Sequence, residues 1–439
     1  MLKTNSIKNL DGIIRRLSII LLCLFIINLI IVSIVMSDEP NKQEFRYPVI
    51  CYEGQELAKV REWEKSWVGK RIDSTNLEQV KQFLPEGLVK IMMEPKKWGA
   101  EELWFEIIPY RKSELTKGFI EATKRYAPLS KLDANDFLMG WEQGLLAGLP
   151  FPHPTKGAEM AWNFDSITLG DGHINTSDAG WVDAKTGSDR NPIHSQQYLY
   201  FSGRTDVPPV PTLPNNKRSL RRANILESLD PPENRGSRLL EYKYLDPDKD
   251  DDRYHWDPKY RRVRRSTYSS RSENMGANDM CLDDDFGWSG QITRNNYRFL
   301  GRREMLAARH QNLDNLRRKK GQAFFHGQQR ERIKVYLVEA LNKDPNYVYS
   351  KQLWYLDPET WLFLYKEMWD RKGRLWRFAD FHNQEVEGYE RIKLSFVVGD
   401  NYVDVLKFTG TPNKRFKYTM GVKFPPDSFT FKAIQKLAY

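Results

Sequence analysis

Three clusters of charged residues are where residue type and spacing could support chemistry. Asp246, Asp248, Asp250 and Asp257 sit at the offsets of a calcium loop. However, Asp251 stands where the loop needs a glycine, and the twelfth position is aspartate rather than a bidentate glutamate. A solvated acidic turn is the expected reading, with no metal. The run Arg261-Arg262-Val263-Arg264-Arg265 places guanidinium groups on both faces of an extended strand. One of them is therefore expected inside, paired with a carboxylate of Asp283-Asp284-Asp285, because charge-assisted pairs of this kind stabilise a sheet. Arg262 and Arg264 are the candidates for contact with an anionic headgroup or a partner. The seven histidines are scattered without a His-Glu-x-x-His pair. Gly287-Trp288-Ser289-Gly290 lacks the spacing of a nucleophile elbow, and no glycine loop for phosphate or dinucleotide is present. No catalytic residue is nominated, and neither enzyme activity nor a cofactor is expected.

The remaining chemistry is hydrophobic. Val335, Leu337, Trp354, Leu356, Leu362, Leu364, Met368 and Leu375 are candidate lining for an apolar hollow, where a lipid tail would leave water at roughly 0.8 kcal/mol per methylene. The elements that must position them are strands. Residues 347–356 alternate with period two, Asp357-Pro358-Glu359-Thr360 reverses the chain, and Trp361 to Trp369 follows. Asp370-Arg371-Lys372-Gly373 is a second turn, before a third strand from Arg374 to Phe381. Three aromatic-rich strands joined by short turns predict an antiparallel meander, from which a large curved sheet is built outward. This meander is expected to form one wall of that hollow.

The chain has 439 residues and is 40% hydrophobic and 13% aromatic, enough for a large core that suits a sheet better than a helical bundle. Its formal charge of +10 is compatible with an anionic membrane surface or an acidic partner. Leu17 to Met36 is apolar apart from Ser18, Asn28 and Ser33, follows Arg15-Arg16 and precedes Asp38-Glu39-Pro40. Residues 1–37 therefore read as a secretory signal or a retained membrane anchor, and both place the remainder outside the cytoplasm. That placement argues against nucleic acid as the partner of the basic runs Lys217-Arg218, Arg221-Arg222 and Arg317-Arg318-Lys319-Lys320, which are expected on a solvated or membrane-facing surface. Cys51 and Cys281 are far apart and are expected to be unpaired more often than bridged.

Residues 38–140 read as a mainly helical lead-in, with a capped helix after Asp73-Ser74-Thr75-Asn76 and a short one from Lys117 to Tyr126. Residues 141–439 read as the sheet domain. Gly148 to Pro154 cannot be helical, Gly157 to Phe164 fits a short helix, and 207–232 is a polar insertion, either a long excursion or a helix from Asn215 to Leu229. Arg391 to Leu406 is the last strand expected.

Several of these pieces, taken in order, resemble the domain of unknown function 1329 family over about residues 67–385. They are Leu149-Pro150-Phe151-Pro152 with Gly157, Glu159, Trp162 and Asn163; Trp256-Asp257-Pro258 with the arginine run; Asp283-Asp284-Asp285-Phe286; and Val335 to Glu339, followed by Tyr349-Ser350-Lys351 and Tyr355 to Trp361. The family is similar in fold to the periplasmic lipoprotein carriers LolA and LolB. The resemblance implies an α+β protein, a large curved antiparallel sheet or half-open barrel with helices covering the concave face. It also implies an extracytoplasmic carrier or chaperone of a hydrophobic, lipid-like molecule, in the periplasm or at the outer-membrane periphery of a Gram-negative bacterium. Its implied associates are a resistance-nodulation-division type exporter, an outer-membrane protein and the membrane surface. The alternative is an envelope polysaccharide-binding or hydrolytic protein, with exposed Trp and Tyr stacking on sugar rings.

Overall fold

A computed structural model describes residues 51–266, 271–272, 274 and 278–436. The apolar span at Leu17 to Met36 lies outside them. No helix among the described residues is long and apolar enough to cross a membrane.

The aromatic meander forms, although its first strand begins at Lys351 and leaves residues 347–350 outside it. Strands β13 (Lys351–Leu356), β14 (Phe363–Trp369) and β15 (Leu375–Glu387) pair antiparallel, with Trp354 opposite Lys366 and Tyr355 opposite Tyr365. Both turns are closed by their aspartates. Asp357 accepts from the Glu359 amide and the Thr360 hydroxyl, each at 2.9 Å, and Asp370 accepts from the Lys372 and Arg374 amides, each at 2.9 Å.

The meander is part of a larger antiparallel ladder. On one side it continues through β12 (Gln328–Asn342) to β11 (Asn295–Ala307). On the other it continues through β16 (Lys393–Asp404) and β17 (Thr409–Met420) to β3 (Gly172–Ala179). Beyond β3 come β6 (Ile193–Tyr200), β7 (Leu220–Asp230), β8 (Arg238–Tyr244), β9 (Asp252–Asp257) and β10 (Arg262–Ser266). Short strands β1 (Arg71–Ile72) and β2 (Phe105–Ile107) attach at the start of β12, and β4 (Trp181–Asp183) and β5 (Ser188–Arg190) form a hairpin beside β17. The result is a large, curved, unclosed α+β sheet with few helices.

Two departures from the sequence expectation concern element type. The stretch from Asn215 onward is not a helix: Leu220–Asp230 is β7, because its odd positions Ala223 and Ile225 pack behind the sheet while Asn224 and Leu226 face the other way. After Asn76 the chain makes two single turns, Leu77–Gln79 and Lys81–Phe83, that bury Leu77 and Val80 without forming one helix.

The helices divide between the two faces of the sheet. Helices α1 (Gly54–Trp67) and α2 (Glu86–Met93) bury Val60, Leu88, Ile91 and Met92 against Val335, Tyr355, Leu364 and Phe378. Helices α3 (Lys117–Tyr126) and α4 (Gly157–Ser166) lie on the opposite, inner face, where Phe119, Met160, Trp162 and Phe164 join Trp354, Phe363 and Phe381. A last helix, α5 (Phe431–Lys436), sits behind β7 to β9 through Ile434.

The residues that carry the family resemblance hold α4 in place. Phe151 and Asn163 exchange two hydrogen bonds, 2.9 and 2.7 Å, which latch the proline-rich segment to the helix. Glu159 accepts from the Thr155 and Lys156 amides at the helix start, and Gly157 lets the backbone meet β11, where an added Cβ would lie 2.8 Å from the Arg298 nitrogen.

Candidate functional site

Inside the curve, residues 278–289 run as a belt across the sheet and bound a cavity of about 340 Å³ against β3, β6 to β9 and β17. The belt is built on Asp283, Asp284 and Asp285, each sent to a different anchor. Asp283 pairs with Arg271 and accepts from the Tyr347 hydroxyl at 3.0 Å. Asp284 accepts from Lys366 Nζ and the Tyr349 hydroxyl, both at 2.6 Å, and from the Cys281 amide at 2.8 Å. Burial alone would raise the Asp284 pKa, but Lys366 and Tyr349 hold it below the usual carboxylate range. Asp285 reaches into the cavity wall, where Tyr198 and Gln196 donate to it, and burial pushes its pKa up.

The cavity wall is mostly polar. Leu226, Leu239, Met280 and Leu282 supply apolar surface beside His194, Gln196, Asn224, Arg253, His255 and Arg415. Arg253 pairs with Glu241, Arg415 with Asp400 at 2.7 Å, and Arg238 with Glu227 at 2.6 Å. Glu241 is held at about 2: burial opposes this, but Arg253 and Arg271 outweigh it. Burial lowers the pKa of both His194 and His255, so both imidazoles are neutral at pH 7.

The eight residues expected to wall an apolar hollow are not brought together. Val335, Leu337 and Leu364 face α1 and α2, and Trp354, Leu356, Leu362 and Met368 face α4 and the belt. Leu375 is buried, and none of the eight touches the large cavity; Leu362 alone borders a small one of about 40 Å³. The meander is thus core, because Phe164, Trp288 and Tyr297 fill its inner face with ring contacts to Trp354 at 5.2 to 6.1 Å, edge-on for Phe164 and Tyr297 and tilted for Trp288. The open space lies in the other half of the sheet.

The arginine run is likewise placed differently from the expectation. Arg262 and Arg264 are exposed on β10, Arg265 pairs with Asp252 outside the belt, and the belt acids take Arg271 and Lys366 instead. Arg221, expected on the surface, is buried over the Trp141 and Tyr200 rings. Within the acidic turn Asp251 is buried and pairs with Arg271 at 2.6 Å.

Cys51 and Cys281 are both buried and free. The Cys51 sulfur and the Asp357 and Glu359 carboxylates lie within 4.8 Å of one another, a spacing that could hold a metal. Burial and Glu359 keep that thiol protonated, however, and Glu359 already accepts from Arg309, Tyr110, Ser113 and the Cys51 amide. The set is a structural staple between the lead-in and the meander turn.

Sequence reasoning missed the cavity because its lining inverts the expected pattern. His194 and Gln196 face it from β6 with period two, and Asn224, Leu226 and Ser228 do so from β7. The period is legible, but the inward residues are the polar ones.

Fold and site together define a curved, unclosed sheet protein with an internal, mixed-polarity cavity. Residues 71–434 match the family described as a protein of unknown function (DUF1329), and the chain belongs to that family. It is 24% identical over 295 residues to the uncharacterized protein PA3922 of Pseudomonas aeruginosa, a match covering 63% of this chain and 61% of that relative's length. Two solved structures are also similar. A DUF1329 family protein from Desulfovibrio piger is 16% identical with a TM-score of 0.47, covering 63% of this chain and 97% of the other. The LolA superfamily protein NE2245 from Nitrosomonas europaea is 12% identical with a TM-score of 0.40, covering 64% and 99%.

Proposed function

We propose that this protein is an extracytoplasmic carrier or chaperone of a small hydrophobic-tailed molecule in a bacterial envelope, and that the cargo sits between the belt and β3, β6 to β9 and β17. The observation that carries this reading is the cavity itself. At about 340 Å³ it is within the size range of small-ligand sites, and it lies inside a sheet that has not closed on itself. The apolar span with its basic flank at the start of the chain supports the envelope location. In this reading Trp354, Leu356 and Met368 brace the belt and do not touch cargo. Arg262 and Arg264, exposed on β10, would meet a headgroup or a partner, and association with an exporter and an outer-membrane protein follows the family resemblance.

The polysaccharide alternative needs exposed aromatic rings. Every tryptophan among the described residues is buried or half-buried, and the exposed rings of Tyr260, Phe416 and Phe431 stand on separate elements, which favours the carrier. Organic extraction of the purified protein followed by mass spectrometry is the test: a stoichiometric amphiphile is expected. An empty protein that binds glycans and no amphiphile would overturn the proposal.

A further inference from the structure

The charges around the cavity are already matched among themselves. Arg238 is paired with Glu227, Arg253 with Glu241, and Arg415 with Asp400. The fourth acid, Asp285, has no cation within 4 Å among the described residues. It feels Arg415 and Arg222, and Arg222 lies over the Tyr198 ring at 5.4 Å and reaches Glu241 at 4.0 Å. The three lining arginines thus each hold a carboxylate, and Asp285 is met by the neutral donors Tyr198 and Gln196. What the wall offers beyond these pairs is neutral hydrogen-bonding capacity, from Gln196, Asn224 and the two imidazoles, beside the apolar surface of Leu226 and Met280.

We infer that the cavity binds an amphiphile whose head is uncharged and rich in hydrogen-bonding groups, such as hydroxyls, and that it rejects anionic and cationic heads. The physical reason is that a charged head entering this wall loses its hydration and finds each lining arginine already paired with a carboxylate and Asp285 already hydrogen-bonded by Tyr198 and Gln196, which costs several kcal/mol per unpaired ion. A hydroxylated head exchanges its water hydrogen bonds for those of Gln196, Asn224 and the imidazoles at little cost. This inference rests on the carrier reading and sharpens it, since desolvation of the tail supplies affinity while the head sets the choice.

Three octyl amphiphiles of matched tail serve as probes at submicellar concentration: octyl glucoside, octyl sulfate and octyltrimethylammonium, titrated into the intact protein at pH 7 by calorimetry. Octyl glucoside is expected to bind at least about tenfold more tightly than either charged probe. Met280→Trp, which fills the cavity, is expected to abolish that binding. Asp285→Asn retains an acceptor for Tyr198 but removes one negative charge, and it is expected to raise the affinity for octyl sulfate about tenfold. A charged probe that binds most tightly and is lost in Met280→Trp would overturn the neutral-head inference while leaving the carrier reading standing. So would an Asp285→Asn variant whose affinity for octyl sulfate does not rise. Failure of all three probes to bind, with no extractable amphiphile, would sink both.

Discussion

Individual buried charges in this protein are held by networks, and removing one member shows what the rest cost. Arg309 is almost fully buried and touches Asp357 at 2.9 Å, the Ser113 hydroxyl at 2.6 Å, Glu331 at 3.7 Å and Glu359. Replacing it with Met strands three carboxylates in the core, so Arg309→Met is expected to lower stability by about 3–5 kcal/mol, read as a drop in the urea midpoint with an unchanged slope. Asp279 gives a signed test in pH. Burial pushes its carboxyl up to about 7, against the hydrogen bond donated by Thr409 at 2.7 Å. In the unfolded chain the same group titrates near 3.8. Its folded pKa is therefore raised, and the wild-type protein loses stability as pH rises from the unfolded value through 7. Asp279→Asn should match wild type near pH 4 and exceed it by roughly 2–4 kcal/mol at pH 8. Equal stability gaps at both pH values in parallel urea titrations would contradict the assignment.

At the scale of elements, legibility followed periodicity and turn chemistry. The meander, α4 and the helix at Lys117–Tyr126 were readable because aromatic alternation, a proline-rich lead and a helical apolar spacing each act locally. β7 was open to a helical reading because Arg221, Arg222, Asn224 and Glu227 hide the alternation of a strand whose inner side meets a polar cavity. β17 was not anticipated at all: Gly410, Pro412 and Asn413 are poor strand formers, and only pairing with strands distant in sequence makes Thr409–Met420 extended. The belt was visible as an acidic motif, but its anchors Arg271, Lys366 and Tyr198 come from three separate places that no spacing rule connects. The site was therefore the least legible part, since tertiary pairing alone decides which polar residues face the cavity.

On the scale of the whole sheet, β17 is the seam. Strands β3 and β6 to β10 form one half of the ladder and β11 to β16 the other, and β17 is the strand that pairs with both, through Gly399–Asp404 on one edge and His173–Ala179 on the other. The cavity lies largely in the first half and draws Asn413 and Arg415 from the seam, while the belt that closes it is anchored in the second through Lys366, Tyr347 and Tyr349. A chain ending at Asp404 would leave two unpaired strand edges and an Asp400 without Arg415. The β11–β16 half keeps its apolar packing against α1, α2 and α4, whereas β3 and β6 to β9 lose both β17 and α5, so hydrogen exchange should show residual protection in β12 to β15 and lost protection across β3 and β6 to β9. The same truncation should abolish amphiphile binding even in the fraction that remains soluble. Retained protection in β3 and β6, or a single unfolding transition at the wild-type midpoint, would mean that the two halves are joined by something other than this strand.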